Sequence, residues 1–107
     1  MSIVKVDYGE VGGSYDFNTS ILQNLGTFSV PMKNGIIFAL DEDYKGIWGL
    51  FVVENGEMTH FYNGASVFST TNPNATYYGY YSNGTFYLKQ NSTASYSGKV
   101  TIYYYTD

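Results

Sequence analysis

Cysteine and arginine are both absent from this chain of 107 residues, and only 13% of its residues are charged. Without cysteine there is no disulfide framework, no thiolate metal ligand and no cysteine nucleophile. The lysines are scattered among nine acidic residues, and the formal net charge is −4. Sequence-independent binding to nucleic acid depends on lysine and arginine that neutralise phosphates. We therefore reject nucleic acid as the main partner.

Long apolar runs are also missing. The N-terminal residues Met1 to Asp7 hold no apolar stretch of signal-peptide length. The longest near-continuous apolar run, Ile47 to Val53, falls far short of the ~20 residues that a membrane-spanning helix needs. The sequence therefore predicts a soluble protein with no membrane insertion, which would be exported by a route such as host-cell lysis.

Aromatic residues are abundant instead, at 20% of the chain, with 13 tyrosines and 7 phenylalanines. Such side chains favour the pleated, half-buried surfaces of β-strands. The length predicts one domain over residues 1–107. A weakly charged chain this rich in aromatics is expected to fold, and part of its neutral surface is expected to face another protein.

Asn-Gly dipeptides divide the chain into short β-type runs. Both residues of a type I′ turn need positive φ, which asparagine and glycine tolerate best. Four such dipeptides occur, at 34–35, 55–56, 63–64 and 83–84. They predict strands near 2–8, 14–18, 27–32, 35–41, 46–54, 57–62, 65–70, 76–82, 85–90 and 99–106, with a polar surface loop at 91–98.

The predicted fold is all-β. Closely spaced strands with frequent turns favour an antiparallel β-sandwich, jelly-roll-like, with about 8–10 short strands and little or no helix. The only helical candidate is Thr19 to Gly26, where an apolar stripe follows a capping threonine and ends at glycine. At most a short turn is expected there.

Two runs fail to alternate between apolar and polar residues, namely Ile36 to Leu40 and Ile47 to Val53. In the second run, alternate side chains on both faces of the strand are apolar, with Trp48, Leu50 and Val52 opposite Phe51 and Val53. No helix is available to cover the second face, and burying apolar surface is worth roughly 25 cal/mol per Å².

We therefore expect a homo-oligomer, in which a second copy of the chain covers Trp48, Leu50 and Val52. Two alternatives remain open at this point. A long loop covers this face, or the sheet closes into a small barrel in which Trp48 is a core residue.

His60 is the only histidine, and in the predicted strand 57–62 it shares a face with Met58 and Tyr62. No G-x-S-x-G nucleophile motif accompanies it. A structural or surface histidine is the favoured interpretation, and pH sensing at an interface is the functional alternative.

The acidic run Asp41-Glu42-Asp43 offers oxygen ligands of the kind Ca²⁺ prefers, but its spacing is not that of an EF-hand loop. An acidic hairpin loop is the favoured interpretation, and cation binding stays open. Carboxylate pairs for glycoside hydrolysis cannot be located from sequence. No catalytic residue, metal site or cofactor is predicted, so the chain is not expected to be an enzyme.

Tyrosines cluster at residues 77–81, and further tyrosines follow in the C-terminal strands. Tyrosine offers a flat apolar ring with a polar tip and loses little entropy on binding. Tyr80, Tyr81 and Tyr87 are candidate residues for stacking on a sugar, which makes a carbohydrate-binding module the alternative function. Simple pairing of the rings across strands is the competing explanation.

The segment Gly46 to Val53, the hairpins at Asn55-Gly56 and Asn83-Gly84, and the closing strand Gly98 to Tyr105 resemble small β-sandwich modules of bacteriophage virion proteins. Such modules include tail-fibre tips, head fibres and capsid-decorating subunits. The resemblance implies a jelly-roll-like fold, homotrimers, and assembly or host attachment instead of catalysis. Other virion proteins and a cell-surface glycan are the implied partners. The chain lacks a fibrous shaft, which favours a small decorating or accessory subunit of the virion, or a stand-alone tip, made in the host cytoplasm.

Overall fold

The computed structural model of the protein describes residues 17–18, 24–91 and 99–106, which form strands and connecting turns without a helix. The strands are β1 (Phe17–Asn18), β2 (Asn24–Ser29), β3 (Gly35–Asp41), β4 (Trp48–Glu54), β5 (Glu57–Asn63), β6 (Phe68–Ser69), β7 (Tyr77–Ser82), β8 (Thr85–Gln90) and β9 (Lys99–Thr106). The all-β prediction is confirmed. The predicted strand at 2–8 and almost all of the loop at 91–98 lie outside the described residues.

Two sheets pack face to face in a β-sandwich. The five-stranded sheet has the order β1-β9-β3-β4-β5, and the four-stranded sheet has the order β2-β8-β7-β6. Among the described strands, the first therefore pairs with the last, and the second pairs with the second-last in the opposite sheet. The outer strands are thus paired in a nested order. The middle of the chain departs from it, because β3, β4 and β5 form a meander and β6 pairs with β7 in parallel.

Two of the four Asn-Gly dipeptides form the predicted hairpin turns. Asn55 and Gly56 have φ angles of 53° and 80°, and they join β4 to β5. Asn83 and Gly84 have φ angles of 50° and 78°, and they join β7 to β8. Positive φ at both positions defines the type I′ turn, whose twist matches that of the flanking strands.

The other two dipeptides are not hairpins, so the prediction is wrong there. β2 and β3 lie in different sheets, and the chain crosses between them before Asn34. The Asn34 side chain instead accepts a hydrogen bond of 3.2 Å from the Asn55 backbone N–H. β5 and β6 also lie in different sheets, and Asn63 donates to the Phe68 carbonyl at 2.7 Å.

The candidate helical turn at 19–26 is wrong over its last three residues. These residues begin β2, where Asn24 pairs with Gln90 and Gly26 with Leu88. Residues 19–23 lie outside the described ranges. The long-range pairing with β8 overrides a weak local helical pattern, as tertiary context commonly does.

Alternate residues of the central strands fill the space between the sheets. β3, β4, β7 and β8 each bury every second residue. The fully buried side chains include Ile37, Phe51, Val53, Phe68, Tyr77, Phe86, Leu88 and Ile102. Gly49 is required at the closest approach, because a Cβ there would overlap the ring of Phe68. Burial of these side chains is the main stabilising contribution.

Two buried tyrosines tie the sheets together through their hydroxyl groups. Tyr77 donates to Asp41 Oδ2 at 2.7 Å, which links the four-stranded sheet to the end of β3. Tyr81 donates to the Val30 carbonyl at 2.8 Å and accepts from the Met32 N–H at 3.2 Å. Each ring thus adds to the core while its polar tip anchors a segment that connects or ends strands.

A β-bulge in the pairing of β4 with β5 changes the side of the sheet on which the β5 side chains lie. The register with β4 shifts between Val52 and Val53, so that Val52 pairs with His60 and Val53 with Met58. Met58 packs against the core, whereas His60 is exposed on the other side. The sequence-based grouping of Met58, His60 and Tyr62 on one face is therefore wrong, because the extra residue Thr59 reverses the alternation.

We expect Asp41→Ala to lower the free energy of unfolding by about 2–4 kcal/mol. The Asp41 carboxylate is 1% exposed and also accepts from the N–H groups of Asp43 and Tyr44, at 2.9 and 3.0 Å. Removing it leaves three donors unsatisfied. Urea denaturation at constant m-value measures the change, and Asp43→Ala, at an exposed carboxylate, serves as the control. Equal stability of the two variants would contradict this role for Asp41.

We expect Gln90→Met to raise the free energy of unfolding by about 1–3 kcal/mol. Gln90 is 0% exposed, and neither polar atom of its side chain finds a hydrogen-bond partner in the described part of the chain. Methionine has nearly the same length and removes the unpaired amide. Thermal and urea denaturation of both proteins measure the difference. A less stable Gln90→Met protein would mean that the amide is satisfied.

Candidate functional site

The outward side of the five-stranded sheet carries a continuous apolar surface. In the register of the sheet, Phe38 of β3 lies between Leu50 of β4 and Tyr103 of β9. Ile36 likewise lies between Val52 and Tyr105, whereas Leu40 lies between Trp48 and the buried, polar Thr101. We call the outer apolar face the set Ile36, Phe38, Leu40, Trp48, Leu50, Val52, Tyr103 and Tyr105.

Side chains of the outer apolar face shield one another, but none of them is sealed. All eight are half-buried, in contrast to the fully buried Phe51 and Ile37 on the inner side. The Phe38 ring lies 5.7 Å from Trp48 and 6.4 Å from Tyr103 between ring centroids. The four-stranded sheet covers only the inner side, so no described strand covers this surface.

The predicted interface residues Trp48, Leu50 and Val52 therefore lie together on the outward side of β4. The alternation of side chains along Ile47 to Val53 correctly predicted that these three residues share one side of the strand. Trp48 is partly sheltered by its own chain, because a Cβ at Gly64 would overlap the indole. The barrel alternative, with Trp48 as a core residue, does not describe this open pair of sheets.

Charge is confined to the rim of this surface. None of the eight positions carries an ionisable acid, a lysine or a histidine. At one end, Glu42 and Lys45 form an ion pair of 3.9 Å, and the Tyr103 hydroxyl donates to Glu42 at 3.5 Å. At the β5 side, His60 Nδ1 lies 3.7 Å from Glu54 Oε1. An uncharged centre with a polar rim is the usual layout of a protein–protein interface.

His60 lies in a small polar cluster on β5 that lacks the geometry of a catalytic triad. Its Nδ1 is 3.1 Å from the Thr59 hydroxyl and 3.7 Å from the Glu54 carboxylate. In a triad the nucleophile and the acid contact opposite ring nitrogens. Here both contact Nδ1, and Thr59 also bonds directly to Glu54. The cluster does not relay a proton, and the pH-sensing interpretation stays a prediction.

The acidic run at 41–43 is organised by internal hydrogen bonds. The Asp41 carboxylate is directed inward to Tyr77 and to two backbone N–H groups, and Asp43 is exposed. These donors occupy the oxygens that a cation would need. Among the described residues, no group of three histidine, aspartate or glutamate side chains is arranged to hold a metal ion.

A second aromatic surface lies on the outward side of the four-stranded sheet. Tyr80 and Tyr87 are direct cross-strand neighbours, and their rings stack 4.5 Å apart with 16° between their planes. Tyr78 shares this side of β7, with its ring 5.6 Å from Tyr80 and tilted by 51°. We call Tyr78, Tyr80 and Tyr87 the tyrosine platform.

Tyr81 is not part of the tyrosine platform, which corrects the sequence-based choice of stacking residues. It is 4% exposed, and its hydroxyl is used by the chain segment at Val30 and Met32. Tyr81 is among the residues that line the adjoining groove, but so little of it is exposed that its ring does not offer an open stacking face. Tyr78, which sequence reasoning missed, takes its place, because residues 78 and 80 share a side of a strand and residue 81 does not.

An open groove borders the tyrosine platform on the side away from β8. It has a volume of about 520 Å³. Tyr78, Tyr80 and Asn83 form one wall, and Glu57, Met58 and Thr70 are among the residues of the other wall. The groove combines two aromatic rings with a carboxylate, an amide and a hydroxyl group.

Within the described residues, no helix has the length and apolar character needed to cross a membrane. No family model, curated protein or solved structure matches this chain. The features that indicate a function are therefore the two outward surfaces, namely the outer apolar face and the tyrosine platform with its groove.

Proposed function

We propose that this chain is a non-enzymatic structural subunit that self-associates through the outer apolar face. Following the resemblance in the sequence, we further propose that it is an accessory subunit of a bacteriophage virion, which docks on the capsid or tail and aids host attachment. The observation that carries the proposal is a set of apolar and aromatic side chains, with no charge among them, on the side of β3, β4 and β9 that no described strand covers.

The size of the outer apolar face supports an interface. Neighbouring strands lie about 4.8 Å apart, and residues on one side of a strand repeat about every 6.8 Å. With three positions on β3, three on β4 and two on β9, the face therefore covers an area of at most roughly 14 by 20 Å. This area suits the apolar centre of a standard interface, which buries about 800 Å² per partner once the polar rim is included.

Charge supports a second copy of this chain as the occupant. The face itself is neutral, so two copies with a net charge of −4 each meet without like charges at the centre. The rim carries both signs, through Glu42 and Lys45. Because every copy of the chain carries this mixed rim, acidic and basic groups of neighbouring copies are able to pair around the contact. The resemblance to virion modules favours three copies.

Two ionisable groups that the sequence offered as candidates for chemistry, Asp41 and His60, support a non-enzymatic role. Asp41 is buried and used for structure, and His60 contacts its two polar neighbours through the same ring nitrogen. A general acid–base site needs groups that face a substrate within hydrogen-bond reach. Neither group has that arrangement.

We expect Leu50→Lys to abolish self-association while leaving the fold intact. Leu50 is the middle of the three β4 positions on the face, beside Phe38, and it is half-buried, so a lysine there remains solvated in the free chain but carries an unpaired charge into the interface. The dissociation constant should rise at least ~100-fold. Size-exclusion chromatography with light scattering, over a micromolar concentration series, reads the mass in multiples of the 12.0 kDa chain.

The matched control for this variant is Thr27→Lys. Thr27 is exposed on the outward side of the four-stranded sheet, as the partner of Tyr87 in β8. The Thr27→Lys variant adds the same charge on the opposite surface, and we expect the mass of its oligomer to equal that of the wild-type protein. A strictly monomeric wild-type protein at high micromolar concentration, or equal loss of assembly in both variants, would refute the proposed interface.

A further inference from the structure

The groove beside the tyrosine platform exists because β6 is short. β6 pairs with β7 only at Phe68–Tyr77 and Ser69–Tyr78. The Ser69 hydroxyl then accepts the N–H groups of Thr71 and Asn72, at 3.0 and 2.9 Å, which turns the chain away from the sheet. Beyond Tyr78, no described strand pairs with this edge of β7. The opening that results is bounded on its far side by the start of β5.

Tyr80 offers one ring face to this groove. Its other face is covered by Tyr87, whose nearly parallel ring lies 4.5 Å away. Tyr80 is one of the residues that line the groove, and with one ring face against Tyr87 only the other face is left for a ligand. Tyr78 stands at 51° to it and forms a second aromatic side to the same corner. The stack with Tyr87 holds Tyr80 in place before a ligand arrives.

Polar groups surround this aromatic corner. Glu57 is exposed and makes no ion pair with another described residue. Its carboxylate therefore accepts hydrogen bonds, while the Asn83 amide both donates and accepts. Thr70 adds a hydroxyl on the wall formed with Met58. The lining has no lysine, so its only charge is negative.

We infer that this groove binds an uncharged pyranose glycan. A pyranose has an apolar C–H face, which suits the free face of Tyr80, and a rim of hydroxyl groups, which suits Glu57 and Asn83. The volume of about 520 Å³ falls within the range of small-ligand sites. The carboxylate of Glu57 and the net charge of −4 disfavour sialylated, sulfated or phosphorylated sugars.

This site is independent of the proposed self-association. The tyrosine platform and the outer apolar face lie on opposite outward sides of the sandwich. A chain that assembles through one surface therefore keeps the other free. Several grooves in one oligomer would then engage a glycan-covered surface together, which strengthens weak single contacts by orders of magnitude.

A glycan array with neutral, sialylated and sulfated members tests the inference, followed by calorimetry with the best neutral glycan. We expect neutral glycans to bind. Tyr80→Ala and Glu57→Gln should each weaken binding by ~10-fold or more, because the first removes the stacking ring and the second replaces a charged hydrogen-bond acceptor with a neutral amide. Tyr44→Ala is the control, since Tyr44 is an exposed tyrosine outside the groove and its replacement should leave binding unchanged.

Glu57→Gln keeps the test valid if Tyr80→Ala disturbs β7, because Glu57 is exposed and its replacement is close to isosteric. Three outcomes would overturn the inference. The first is no binding to any neutral glycan by the wild-type protein. The second is binding that neither variant weakens. The third is capture of extended peptides without glycans, which would assign the open edge of β7 to strand addition.

Discussion

Each strand of this sandwich must bury one of its two rows of side chains, and in this chain the second row is also aromatic or aliphatic. In β4, Phe51 is buried between the sheets while Leu50 and Val52 lie outward. In β7, Tyr77 is buried while Tyr80 lies outward. The fold buries the inward row of side chains between the sheets and leaves the outward row half-buried. The two outward rows have apolar rings and chains in common, and they differ in the polar groups beside them.

The two outward surfaces differ in their polar content. The outer apolar face is mostly aliphatic and aromatic carbon, with polar groups only at its rim, which favours a partner that removes it from water. The tyrosine platform carries a hydroxyl on every ring and borders a carboxylate and an amide. Such a surface stays hydrated and exchanges water for the hydroxyl groups of a ligand. One sandwich thus presents one surface suited to assembly and one suited to recognition.

Local patterns in the sequence predicted most of the strands. The segments 35–41, 85–90 and 99–106 were expected at the bounds they have. The prediction that Trp48, Leu50 and Val52 lie on one side of β4 was also correct. Successive side chains of a strand point to opposite sides, so the side of one residue determines that of the others. The turn at Asn83-Gly84 was correct, since only two residues separate strands that pair with each other.

The sequence could not reveal which strands share a sheet. Asn34-Gly35 looks like a hairpin turn, yet the strands on either side of it belong to different sheets. The inward row of β7 was equally ambiguous, because tyrosines occupy both sides of the Tyr77-to-Tyr81 segment. Only the long-range hydrogen bond from Tyr81 to Val30 determines that this ring is buried. The groove depends on the premature end of β6, which no local pattern marks.

Trp48, the only tryptophan, lies on the outer apolar face and reports directly on its environment. The most direct test of the account is therefore the fluorescence emission of Trp48, with acrylamide quenching, across a dilution series followed in parallel by light scattering. We predict that emission shifts to longer wavelength and quenching increases as the oligomer dissociates. Emission and quenching that stay constant while the mass changes would mean that assembly occurs through another surface.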